Sequence, residues 1–213
     1  MRPITRVLAS SLLLVATGAN AAIVTFSSRS SFDATFSGAV RETWDSFPDG
    51  TLIAHGGTAN GITYTTSGGT SVVVTNDFLP STTPNTLGNG VRGFFQDGES
   101  VTFMFGAPVI AFGIDINTGS KDAGAYTATT NLGNLVGSLF DAFPGAETGQ
   151  FIGFSSDIAF SAVTITTTVR FGYTLDTLRA VNQPKVVPEP GTLLLSALAL
   201  LALGISQRRV GRV

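Results

Sequence analysis

The chain has 213 residues, no cysteine, one histidine and a formal net charge of −2. Without cysteine it can form no disulfide, no thiol nucleophile and no Cys-based zinc site. Between the two ends, seven basic side chains stand against thirteen acidic ones, a charge of about −6 that makes nucleic acid and anionic membrane surfaces poor partners.

In chain order, Arg2 and Arg6 precede a short apolar run from Val7 to Ala16, and Ala19-Asn20-Ala21 is an Ala-x-Ala pattern. Residues 1–22 therefore read as a secretory signal peptide helix, with Ala19 and Ala21 at the cleavage site. Residues 23–183 make one domain, long enough for a core of its own. Residues 184–213 form a tail.

The domain reads as β nearly throughout. Ile23 to Phe26 is a short strand. Residues 30–36 predict one or two helical turns, capped by Ser30 or Ser31, with Phe32 and Phe36 on one face and Gly38 at the end. Val40 to Trp44 is a second strand, closed by Pro48-Asp49-Gly50. Strands at 61–65 and 71–75 around Gly68-Gly69 predict a hairpin. Residues 76–92 hold Pro80, Pro84, Gly88 and Gly90 and predict a long loop. Val101, Phe103 and Phe105 share one strand face, Gly106-Ala107-Pro108 predicts a turn, and Ile110, Phe112, Ile114 and Ile116 share a face of the next strand. Further strands fall at 126–130, 134–140, 150–154, 162–169 and 172–181. About ten strands punctuated by Gly and Pro predict an all-β, antiparallel β-sandwich of jelly-roll-like form. The signal helix and an apolar C-terminal helix flank it.

That last helix is the run from Leu193 to Ile205, which carries no charge and no proline. At roughly 1.5 Å per residue it reaches about 20 Å, short against a hydrocarbon core about 30 Å thick. Arg208, Arg209 and Arg212 follow, and basic residues favour the cytoplasmic side, so the domain belongs outside. Val187-Pro188-Glu189-Pro190, the short apolar helix and the Arg208-Arg209 pair together resemble the PEP-CTERM sorting signal. In that family an exosortase in the inner membrane of Gram-negative bacteria recognises the tag and cleaves near Pro-Glu-Pro. The resemblance implies export through the Sec machinery, a transient inner-membrane anchor, and a final place on the cell surface or in an extracellular matrix.

No catalytic constellation is legible. His55 stands in a Gly-rich loop, and a Gly-x-Ser-x-Gly elbow is absent. Glycoside hydrolysis needs two carboxylates across the scissile bond. The candidate acids are Glu42, Asp45, Asp49, Asp97, Glu99, Asp115 and Asp176, with no Glu-x-Asp-x-Glu among them. Trp44, the one tryptophan, reads as core rather than as a sugar platform.

The segments Phe103-x-Phe105-x3-Val109-x-Ala111-Phe112-Gly113-Ile114-Asp115, Phe151-Ile152-Gly153-Phe154 and Leu175-Asp176-Thr177-Leu178 are similar to jelly-roll domains found upstream of this tag, themselves similar in shape to carbohydrate-binding modules. That resemblance implies one structural calcium, held by Glu42 or Asp45 with Asp176. Asp115-x-Asn117-x-Gly119 with Asp122 is a second oxygen-rich candidate. The expected function is that of a non-enzymatic surface or matrix protein that binds exopolysaccharide. The competing reading is an envelope glycan hydrolase of the same fold.

Overall fold

The computed structural model describes residues 21–184, apart from 79, 144–148 and 168, and apart from the side chains of residues 40 and 41. The predicted signal helix with Ala19, the Val187-Pro188-Glu189-Pro190 motif, the apolar run and Arg208-Arg209 lie outside the described residues. No helix among the described residues is long and apolar enough to cross a membrane.

The elements are β1 (Ile23–Thr25), α1 (Arg29–Thr35), β2 (Val40–Glu42), β3 (Leu52–Ile53), β4 (Thr58–Ala59), β5 (Ile62–Thr66), β6 (Val72–Thr75), β7 (Thr86–Asn89), β8 (Ser100–Thr118), β9 (Tyr126–Thr130), β10 (Leu135–Gly137), β11 (Leu139–Phe140), β12 (Gln150–Thr167) and β13 (Tyr173–Asn182). Every pairing among them is antiparallel.

β8 and β12 are long enough to serve two layers of a sandwich each. The first half of β8 pairs with β5 on one side and with the second half of β12 on the other; β9 and β10 extend that layer beyond β12, and β4 extends it beyond β5. The second half of β8 pairs with the first half of β12 and with β13. β1 and β11 lie along the outer side of β12, β2 and β7 along the outer side of β13, and β6 and β3 continue from β7.

The strands turn from one layer to the other where the ladder is interrupted. Pro108 has no N–H to give and Gly106 has no side chain to pack, and the register between β8 and β12 shifts opposite them, between Ser155 and Ala162. Gly106-Ala107-Pro108 is therefore a bend within one strand, not the turn between two strands that its composition predicts. The same correction applies to 150–154 and to 162–167 of the predicted 162–169 strand, which are parts of β12.

The core fills the space between layers. Phe103 and Phe112, from the two halves of β8, have ring centroids 6.3 Å apart, and Tyr126 on β9 meets Tyr173 on β13 at 5.0 Å. Trp44 is fully buried in this core, as its surroundings in sequence predict. A second, smaller apolar cluster lies outside the β8–β12–β13 layer, where α1 packs Phe32 on Ala111 and Phe151. α1 thus covers the outer face of β8 at Ala111 and Gly113, within the stretch 111–118 that is buried on both faces.

Local chemistry accounts for the remaining departures. α1 is capped by Ser28 rather than Ser30 or Ser31: Ser31 N donates to Ser28 Oγ and Ser28 N to Ser31 Oγ, a reciprocal box. The 61–65 and 71–75 strands form no hairpin. β5 has its two edges taken by β4 and β8, and β6 has its edges taken by β3 and β7, so Gly68-Gly69 carries the chain from one layer to the other. The predicted long loop contains β7, all four residues buried, where Gly88 is required because a Cβ would sit 1.9 Å from the Gly93 carbonyl oxygen. Residues 134–140 divide into β10 and β11.

Candidate functional site

The bend of β8 opens a cleft of about 490 Å³ on the body. Phe105, Gly106 and Ala107 form one wall; Glu42, Thr43 and Ser46 form another. Leu178, Ala180 and Asn182 of β13 and the β4–β5 turn complete it. That turn is Asn60-Gly61, with φ of 49° and 77°, the two-residue hairpin turn that needs positive φ at both positions. The Asn-Gly pair is a strong hairpin signal in the sequence, and the prediction passed over it in favour of Gly68-Gly69.

Glu42 anchors the cleft. It is nearly buried, its Oε1 accepts the Trp44 N–H at 2.7 Å, and its Oε2 accepts an Asn60 Nδ2–H at 2.6 Å. Trp44 holds φ at 59°, a left-handed conformation that bulky side chains rarely adopt, and β2 ends before it for that reason. Its indole N–H donates to the Tyr64 hydroxyl at 3.1 Å, and burial pushes the Tyr64 proton affinity well up. Among the described residues no hydrogen bond engages the side chains of Thr43, Ser46 or Asn182, so these polar groups remain available at the cleft.

A second constellation lies under α1. Asp115 and Asp176, opposite one another on β8 and β13, are both fully buried. Arg179 reaches Asp115 Oδ1 at 3.3 Å and Asp33 at 2.8 Å, and Arg29 reaches Asp115 Oδ2 at 3.3 Å. The Ser81 hydroxyl lies 2.6 Å from Asp115 and 2.9 Å from Asp176. Asp176 also accepts N–H bonds from Thr82 and Thr177. Burial pushes the Asp176 carboxyl up to about 6, against the pull of the Thr82, Ser81 and Thr177 bonds, and nearby Asp115 adds to the rise. Burial raises Asp115 too, with Arg179, Ser81 and Arg29 pulling the other way.

The residues singled out in the sequence thus separate. Glu42 lines the cleft, Asp45 accepts the Asn85 backbone N–H at 2.9 Å, and Asp176 belongs to the buried pair with Asp115. Among the described residues no group of three or more His, Asp or Glu side chains comes together as a metal site. Asp115, in the second oxygen-rich candidate, faces two guanidinium groups instead. Asp49 and Glu99 accept backbone N–H bonds in turns, and His55 accepts the Thr66 N–H at 3.1 Å. Arg179, Ser81 and Asn60 were not anticipated; only Asn60 carried a local signal.

No curated protein matches the chain. Solved structures similar to it include the catalytic domain of a GH87 alpha-1,3-glucanase in complex with tetrasaccharides, at 14% identity and a TM-score of 0.36, with 66% of this chain and 31% of that chain covered. Another is a CBM29-2 mutant complexed with mannohexaose, at 9% identity and a TM-score of 0.36, with 68% of this chain and 93% of that chain covered. Residues 186–209 match the PEP-CTERM protein-sorting motif, so the chain carries the tag of an exported, surface-sorted protein that exosortase processes.

Proposed function

We propose that the body is a non-enzymatic binding module of jelly-roll type, carried to the cell surface or extracellular matrix by its C-terminal tag, and that its cleft binds exopolysaccharide. The observation that carries this reading is the cleft itself. It combines a partly exposed aromatic ring, Phe105, with side chains of Thr43, Ser46 and Asn182 that form no hydrogen bond among the described residues. Sugar sites need such a mixture of an apolar surface and a few placed polar groups.

The hydrolase reading is weaker on chemical grounds. Hydrolysis needs two carboxylates flanking one bond. Among the described residues one lines the cleft, Glu42, already bonded to Trp44 and Asn60. Asp115 and Asp176 are close together, yet both are closed off from solvent.

Affinity electrophoresis of the full chain in gels containing exopolysaccharide from the host tests the proposal. Retardation that an Asn182→Arg substitution abolishes supports it. Unretarded migration, or retardation that Asn182→Arg leaves unchanged, refutes the cleft as the site.

A further inference from the structure

The charge lining the cleft says what kind of polysaccharide fits, and the inference rests on the glycan-binding reading above. Among the described residues that line the cleft, Glu42 is the one ionisable group, and no lysine or arginine is among them. Its carboxylate can only accept hydrogen bonds, and each oxygen retains acceptor capacity beyond the bond from Trp44 or Asn60. The Asn60 amide is fixed by its donation to Glu42, which leaves its carbonyl oxygen as a further acceptor at the cleft rim. Asn182 and the hydroxyls of Thr43 and Ser46 add groups that can donate or accept. The balance favours a partner that donates through many O–H groups.

We infer that the cleft selects neutral, hydroxyl-rich polysaccharide and rejects polyuronates and other anionic glycans, with Glu42 and Asn60 as the specificity-determining pair. An acidic sugar in this cleft would bring its carboxylate beside Glu42 with no cation among the described lining residues to pair it. Removing a charge from water without a partner is costly, and like charges at close range add repulsion. The strained backbone at Trp44 is an independent observation at the same place. It sits two residues from Glu42, directs its N–H onto that carboxylate, and strain of this kind collects at binding sites.

The test uses the full chain in affinity gels containing either a neutral glucan or galactomannan panel, or polygalacturonate, at low ionic strength. Retardation by at least one neutral polymer and none by polygalacturonate is the expected result. Retardation by polygalacturonate equal to that by the neutral polymers overturns the inference while leaving glycan binding standing. No retardation by any polymer overturns both. Two variants sharpen the reading. Glu42→Gln is expected to weaken neutral binding roughly tenfold, the loss of one charge-assisted hydrogen bond. Ser46→Lys, at an exposed position of the cleft, is expected to confer polygalacturonate binding; if it does not, charge is not what excludes the acidic chain.

Discussion

The Arg179 guanidinium meets Asp115 at 3.3 Å with both side chains buried, and the same guanidinium holds Asp33 on α1. Replacing Arg179 by Met leaves Asp115 in the interior with Arg29 as its remaining cation. Removing one partner of a buried pair typically costs about 3–5 kcal/mol, whereas replacing both by apolar groups is far milder. Denaturant unfolding should therefore show a large loss for Arg179→Met and substantial recovery for Arg179→Met combined with Asp115→Leu.

Asp176 gives the stability a pH dependence of defined sign. Its folded-state carboxyl titrates near 6, above the ordinary aspartate value of 3.8. Between those values the folded chain binds more protons than the unfolded one, so the contribution is complete below 3.8 and is lost as pH rises through about 6. A two-unit rise corresponds to about 3 kcal/mol. Asp176→Asn should flatten the melting temperature between pH 4 and 7 relative to the parent chain, as read by thermal melts across that range.

Close backbone approach makes Gly88 intolerant. A Cβ there meets the Gly93 carbonyl oxygen and carbon, atoms that cannot swing away as a side chain can. Gly88→Ala should lower stability by 1–3 kcal/mol or somewhat more, roughly the cost of overpacking. Gly38 has nothing within 4 Å of the same position, and Gly38→Ala should stay within about 0.5 kcal/mol.

Glu42, Asp45 and Asp176 each accept bonds from N–H or O–H donors of the protein, and each from different donors. A chelator should accordingly leave the melting temperature unchanged. A rise of several degrees on adding millimolar calcium would instead assign a native-state site to these oxygens.

For the tail, mass spectrometry of the mature protein from its host should find a form lacking Leu193 to Val213. Substitution of Glu189 by Ala should cause the longer form to accumulate in the membrane fraction.

The strand content was legible because the period of two in Val101-Phe103-Phe105 and Val163-Ile165 survives any rearrangement of the layers. Connectivity was not. Gly106-Ala107-Pro108 has the composition of a turn, and only the partner strand decides that it is a bend. β7 was hidden because Gly88, a strand breaker by composition, is there to let two backbones touch. The site was half legible. Asp176 stood out as an acid in an apolar and Thr-rich strand, and Glu42 and Asp115 were among the candidate acids, but their partners were set by register. The irregularity between Asp176 and Arg179, with Thr177 at φ 42°, places Arg179 over Asp115 in a way that no alternation rule anticipates.

The order in which strands find partners has a bearing on how such a chain reaches its destination. β1 pairs with β12, α1 packs on Ala111 and Phe151, and β2 pairs with β13. The first twenty residues of the described body thus find their partners only on strands far along the chain, and β2 has none until Tyr173–Asn182 has been made. Loops of that length close slowly, and contacts so distant in sequence form late. The N-terminal edge of the body therefore stays open until distant strands have been made, so an exported chain of this topology is sealed last where it begins.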